Sequence, residues 1–459
     1  MSRVTRSQVV SLSAFVGRLF VAMAITAVAG RALSPDDFGF FTLIGTCFVV
    51  VHLVIDLGTR EAAGREIARD WGQERRVLEG LLGWRLLAAL VVAGVIMTAA
   101  GWEPRSERRW IWWGMAATAL VMAWSGLTVV FQVRQIVGRP ALVRFSHQGM
   151  VLGGAAAVLI LDLPAVCFAG LLVLRELLNA VWFQGLAVRV LGQRPRPALR
   201  ERGLGPFLRS AWIQGVARLL HIGHFPASVL LVSLLGDAGE LGRYSAAFRP
   251  ANAVLVVPWL LLMPFLPVLA ARLGEEPERF RSAARSAAAL LSGGAVLVGA
   301  AGWMLAPDVL EVLYQDHYAR APEVIDALRW LMVGLAGTFL AATSSSILLA
   351  QRREKELLVF ALARAVLQVA GYLILVPRAG LVGAAVATAA SEWIIALVMM
   401  RRVPGIWASP LVVVPGAVVG ALLFLLPGAP WVRLLVGAGL CILAAFCLFR
   451  SSAVRRSRE

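Results

Sequence analysis

The chain has 459 residues, 59% of them hydrophobic and only 15% charged, with a mean hydropathy of +0.78. A soluble domain carries about 25% charged residues, so this composition excludes an ordinary water-facing exterior and makes lipid the solvent. The net charge of +17 does not point to nucleic acid, because the basic residues fall in short runs between apolar stretches.

Apolar windows of about 20 residues, the length that crosses a bilayer, fall at 9–30, 38–56, 80–100, 110–132, 148–162, 164–186, 210–235, 249–271, 286–306, 327–349, 357–376, 380–400, 409–427 and 430–449. Irregular backbone facing lipid would leave polar groups unpaired, so these windows are read as helices. The expected fold is all-α, a polytopic membrane protein with about fourteen spans. Arg3 and Arg6 before the run ending Ala27-Val28-Ala29-Gly30 have the outline of a signal peptide. The length of that run and Arg18 in its middle make it the first span instead. The fifth span is short and meets the sixth at Asp162-Leu163-Pro164, a tight turn.

Orientation follows from the basic loops. Arg60, Arg65, Arg69, Arg75 and Arg76, then Arg134, Arg139 and Arg144, then Arg189 to Arg209, Arg272 to Arg285, Arg352 to Lys355, Arg401, Arg402 and the tail all lie on one side. Positive loops stay in the cytoplasm, so both termini are expected inside. The outer loop with Arg105, Arg108 and Arg109 dissents, and a long outer loop at 307–326 is acidic. Trp102, Trp110, Trp112, Trp113, Trp330 and Trp431 mark outer span ends, and Trp84, Trp212 and Trp407 mark inner ones. Cys47, Cys167, Cys441 and Cys447 lie inside apolar stretches without metal or disulfide spacing and read as packing residues.

An internal repeat links Asp37-Phe38-Gly39-Phe40-Phe41-Thr42 to Glu240-Leu241-Gly242-Arg243-Tyr244-Ser245, about 203 residues and six spans further on. An even number of spans keeps both copies in one orientation, so the repeats are parallel. The expected layout is a six-helix lobe at 1–207, a second at 208–405, and a final helix pair with a basic tail at 406–459.

Three ordered stretches carry a family resemblance. The first is Leu33-Ser34-Pro35-Asp36-Asp37-Phe38-Gly39-Phe40-Phe41 with Asp56-Leu57-Gly58 and Arg65-Glu66-Ile67-Ala68. The second runs from Leu235-Gly236-Asp237 through Gly242-Arg243-Tyr244-Ser245-Ala246-Ala247-Phe248-Arg249 to Pro264 and Pro267. The third is Leu348 to Arg353 with Pro377-Arg378-Ala379-Gly380-Leu381-Val382-Gly383-Ala384-Ala385-Val386-Ala387-Thr388. In this order and spacing the chain resembles the polysaccharide flippases (Wzx-type) of the multidrug/oligosaccharidyl-lipid/polysaccharide exporter superfamily. The resemblance implies two lobes around a central cavity with alternating access, and a last helix pair that shapes a groove for a lipid tail. Similar flippases often carry an acid in span seven; here that position falls near Ser228, so the resemblance transfers no cation-coupling role.

Charges inside spans are costly and ask for a reason. Arg85, Arg329 and Arg433 lie near span ends, where they can snorkel, whereas Arg18, Arg175, Arg218 and Arg364 lie deeper. On span seven Gln214, Arg218, His221 and His224 share a helical face, and on span eleven Arg364, Gln368 and Tyr372 recur every four residues. Guanidinium groups bind phosphate oxygens bidentately and stay charged, so Arg18, Arg175, Arg218 and Arg364, with His221, His224 and Gln368, are candidate substrate-binding residues for a diphosphate. Interhelical pairing with Glu176 or Glu392 is the alternative. Asp56, with Arg60 four residues on and His52 behind it, reads as an end-of-helix ion pair, and Ser344-Ser345-Ser346 as interhelical hydrogen bonding or cavity lining.

His221-Ile222-Gly223-His224 matches a synthetase signature but lacks its α/β context. No catalytic set, metal site, phosphate-binding loop or cofactor motif stands out. The expectation is a non-enzymatic flippase in a bacterial inner membrane. It would carry an undecaprenyl-diphosphate-type lipid-linked oligosaccharide and work beside membrane lipids and a polymerase and glycosyltransferases. A cation-coupled efflux antiporter and a membrane glycosyltransferase or ligase remain the alternatives.

Overall fold

The computed structural model describes residues 3–136, 138–192, 194–198, 211–212, 215–216, 219, 224–263, 265, 269, 277–403 and 406. The chain divides into two compact units, Met1–Leu230 and Leu231–Glu459. Ten helices among the described residues are long and apolar enough to cross a membrane.

The first unit holds α1 (Arg3–Ala32), α2 (Pro35–Asp56), α3 (Thr59–Arg69), α4 (Glu74–Trp102), α5 (Ser106–Met122), α6 (Val129–Val133), α7 (Gly138–Ile160) and α8 (Val166–Leu191). Helix α9 (His224–Leu235) follows, then α10 (Ala238–Val254), α11 (Val257–Leu262), α12 (Pro277–Tyr314), α13 (Asp316–Ala319), α14 (Pro322–Ala350) and α15 (Glu354–Arg401). These helices account for the first six and the ninth to twelfth apolar windows and for the eighth as far as Leu262. The window 210–235 is described only in part, and the last two windows lie outside the described residues, as do Cys441, Cys447 and Arg433. Windows 357–376 and 380–400 are the two arms of α15, broken at Gly380 with φ +55° and ψ −140°, a conformation that glycine adopts without steric cost.

The repeated motif lies at a pair of N-caps, where a side-chain oxygen accepts from an orphan amide in the helix's first turn. Ser34 caps α2 by accepting from the Asp37 amide at 3.2 Å while its hydroxyl donates to the Asp37 carboxylate at 2.8 Å. Asp237 caps α10 by accepting from the Glu240 amide at 2.6 Å. The aromatic that follows each cap is buried: Phe38, Phe40 and Phe41 in the first unit and Tyr244 in the second. The same caps explain the arginines that dissent from the expected orientation. Arg108 binds Asp36 and Asp37, each at 2.8 Å, and Arg105 binds Asp36, so these charges are answered locally.

In the first unit α1 packs on α7, α7 on α8, and α8 on α2 and α5. In the second, α14 lies at the centre, packed against α10, α12 and α15, with Phe339, Leu340 and Leu348 in the core. Two expectations change. The fifth span is not short: α7 begins at Gly138 and runs for 23 residues. The expected outer loop 307–326 is largely helical, because α12 continues through Pro307 to Tyr314. Proline lacks the N–H that would bond the carbonyl four residues back; the Trp303 carbonyl instead accepts from Arg329 Nε at 3.2 Å. At 38 residues α12 is about 57 Å long, well beyond a hydrocarbon core of about 30 Å.

Candidate functional site

Four helices of the first unit bring charges together. Glu176 on α8 is buried, with 9% of its surface exposed. Arg175 places Nε at 3.0 Å and Nη2 at 2.6 Å from one Glu176 carboxylate oxygen. His52 on α2 sits 3.3 Å from the other oxygen through Nε2. Arg175 also donates to the buried Gln148 side chain on α7 at 3.2 Å. Arg18 on α1 is close enough to feel the charges of Arg175 and Glu176, and Arg144 on α7 those of Arg18, Arg60 and Glu176. Neither Arg18 nor Arg144 has an ion pair among the described residues. Their guanidinium groups rest over the Phe15 and Phe183 rings, at 5.4 and 5.0 Å from the centroids. Arg175 thus contacts this carboxylate, Arg18 and Arg144 lie within electrostatic range of it, and Arg144 is exposed. Such an arrangement can hold an anion of more than one charge.

A second ion pair lies nearby and has a different character. Arg85 is 2% exposed, and its three nitrogens are all engaged: Nη1 with Asp56, Nε with the Ala123 carbonyl at 3.0 Å, and Nη2 with Ser125 Oγ at 2.8 Å. The span-end reading of Arg85 as a snorkelling side chain is therefore corrected. Asp56 at the end of α2 supplies the counter-charge, and the carbonyl of Ala123, which opens the 3-10 stretch Ala123–Thr128 after α5, accepts from Nε. Gly126 makes room for this side chain, since a Cβ there would meet Arg85 Cδ at 2.7 Å. Arg60 stays 4.0 Å from Asp56, the i,i+4 approach read from the sequence, but His52 turns to Glu176 instead. Arg329, by contrast, is half-buried at its helix end beside Asp326, 3.0 Å away.

In the second unit Arg364, Gln368 and Tyr372 form a buried stripe on the first arm of α15. Arg364 lies 3.5 Å from Glu392 on the second arm, and Glu392 accepts from Thr338 of α14 at 3.0 Å. The Tyr372 hydroxyl bridges Tyr244 at 3.0 Å and Thr388 at 2.7 Å. Ser344, Ser345 and Ser346 each donate to the carbonyl four residues back in α14, and Ser345 also reaches Met399 Sδ on α15 at 3.9 Å.

Of the candidate residues, the structure places Arg18 within electrostatic range of Arg175 and pairs Arg364 with Glu392. His224 opens α9, while Gln214, Arg218 and His221 lie outside the described residues. Arg144, Gln148 and the His52–Glu176 contact were missed as site features. Pro140, a residue suited to the first turn of a helix, marked the early start of α7. With that start, Arg144 and Gln148 share one face at i,i+4.

Residues 215–374 match the family model described as MatE. None of the curated proteins matches the chain. Among solved structures, the fold is similar to a lipid II flippase MurJ in an inward closed conformation, with a TM-score of 0.75 at 12% identity over 98% of this chain and 99% of that one. An inward-facing multidrug resistance MATE family transporter aligns with a TM-score of 0.64 at 16% identity, over 88% of this chain and 99% of that one. A superfamily transporter from Pyrococcus furiosus, described by the reverse polarity of its binding pocket, aligns at 0.60 and 16% identity, over 88% and 96%. The chain is a multi-pass membrane protein whose fold is that of the MurJ flippase and the MATE family transporters it aligns with, and whose residues 215–374 match the MatE model.

Proposed function

We propose that the chain is a flippase that moves an undecaprenyl-diphosphate-type oligosaccharide from the cytoplasmic to the outer face of a bacterial inner membrane, with no chemical step. The observation that carries this reading is the excess of arginine over carboxylate around Glu176, at Arg18, Arg144 and Arg175. A guanidinium offers a planar fork to phosphate oxygens and cannot lose its charge. An antiporter for cationic drugs would need the opposite balance. Arg218, His221 and His224 belong to the same proposal through their shared face on the sequence. Arg364 and Gln368 enter as a second polar stripe, in which Arg364 must exchange Glu392 for phosphate to take part. The lobes 1–207 and 208–405, the final pair 406–459, the cytoplasmic termini, and a polymerase and glycosyltransferases as pathway partners complete the reading.

The test is export in a strain that depends on this chain. Arg18→Ala and Arg218→Ala are expected to abolish export while the proteins still insert. Arg18→Lys should restore it only in part, because lysine keeps charge but loses the fork. Full export by both alanine variants at normal expression would return these residues to plain ion pairing.

A further inference from the structure

The two buried acid–arginine pairs of the first unit are built differently, and the difference assigns Glu176 a role. Arg85 reaches Asp56 from another helix and has each nitrogen engaged, so that pair ties α2 to α4 and to the stretch 123–128. Arg175 and Glu176 are neighbours on one helix, where side chains at i and i+1 do not naturally face each other. Their contact joins no two helices. It holds a guanidinium whose other acceptor is Gln148, beside His52 with 45% of its side chain exposed and beside Arg18 and Arg144, which have no ion pair among the described residues.

We infer that Glu176 is a resident counter-anion of the arginine site, which an incoming diphosphate must displace from Arg175 and which then promotes its release. This rests on the reading of Arg18, Arg144 and Arg175 as a phosphate site. In the empty state Glu176 neutralises part of the cluster and keeps Arg175 in place. A diphosphate needs the same guanidinium donors, so the two anions compete for Arg175. When the diphosphate binds, Glu176 keeps its contact with His52 and stays nearby as a fixed negative charge. The site therefore binds its anion less tightly than its arginines alone would, and lets it go faster.

The test uses the full-length protein purified in detergent, with inorganic pyrophosphate as the probe and calorimetry as the readout. Glu176→Gln should bind pyrophosphate about tenfold more tightly or better, since a like charge within the site is removed. Glu176→Asp keeps the charge but shortens the reach to Arg175, and should fall between the two; it serves if the glutamine variant fails to fold. Arg18→Ala with Arg144→Ala should lose binding. Equal or weaker binding by both Glu176 variants, with binding still lost in the arginine double variant, overturns the counter-anion and leaves the phosphate site standing. Failure of the wild-type protein and every variant to bind pyrophosphate overturns the phosphate site itself, and the counter-anion with it.

Discussion

Replacing Arg85 with methionine tests the account of the first unit at its most enclosed charge. The substitution removes three hydrogen bonds at once, to Asp56, the Ala123 carbonyl and Ser125. It also leaves the Asp56 carboxylate buried without its Arg85 partner. Breaking a buried ion pair from one side costs about 3–5 kcal/mol, which lowers the folded-to-unfolded ratio by roughly a hundredfold or more. Replacing both members with apolar residues of similar volume is often neutral or stabilising. Arg85→Met should therefore lower the melting temperature of the detergent-solubilised protein clearly. Asp56→Leu combined with Arg85→Met should recover much of the loss. The assay is the monodisperse fraction on size exclusion after a series of heating steps. A single variant as stable as wild type, or a double variant as damaged as the single, would refute the reasoning. The first result would mean that Arg85 reaches water after all.

Two further outcomes follow from charge. With cytoplasmic termini, alkaline phosphatase fused after Gly242 should be active and fused after Arg279 inactive, and the reverse pattern would contradict the orientation. A diphosphate carries about two charges, and moving one through 100 mV is worth about 2.3 kcal/mol, so the potential favours the outer face more than a thousandfold by the tenfold-per-1.4 kcal/mol rule. Collapsing the potential with valinomycin and potassium should slow flipping in vesicles, whereas a pH gradient alone should have little effect. Transport driven by proton flux and indifferent to the potential would contradict this, and His52, His221 and His224 would then be the first residues to test.

The helices were legible because their signal is local, whereas the caps at the repeated motif were seen only as a repeat. Apolar windows need only about 20 consecutive residues. Helix ends were harder. The apolar window of the fifth span starts at 148, but α7 starts ten residues earlier, because its first turns carry Arg139 and Arg144, which an apolarity scan rejects. That shift hid Arg144 among cytoplasmic arginines. Arg85 was misread for a related reason: it stands near the start of its apolar window, and its partner lies 29 residues away on another helix. Matching charges of opposite sign at equal depth in neighbouring spans would have found the pair. His52 was assigned to Asp56 by its spacing along one helix, whereas the contact it makes crosses 124 residues to Glu176, which no periodicity within one helix can reveal.

The central claim is tested most directly by following which face of the membrane holds the lipid-linked oligosaccharide when the chain is depleted from cells that make it. Spheroplasts would be treated with an impermeant reagent that labels sugars, and the labelled share of the lipid-linked pool compared with that in undepleted cells. The account predicts that the pool grows while its labelled share falls, because substrate is stranded on the cytoplasmic face. An unchanged labelled share, with the chain gone and synthesis continuing, would contradict it.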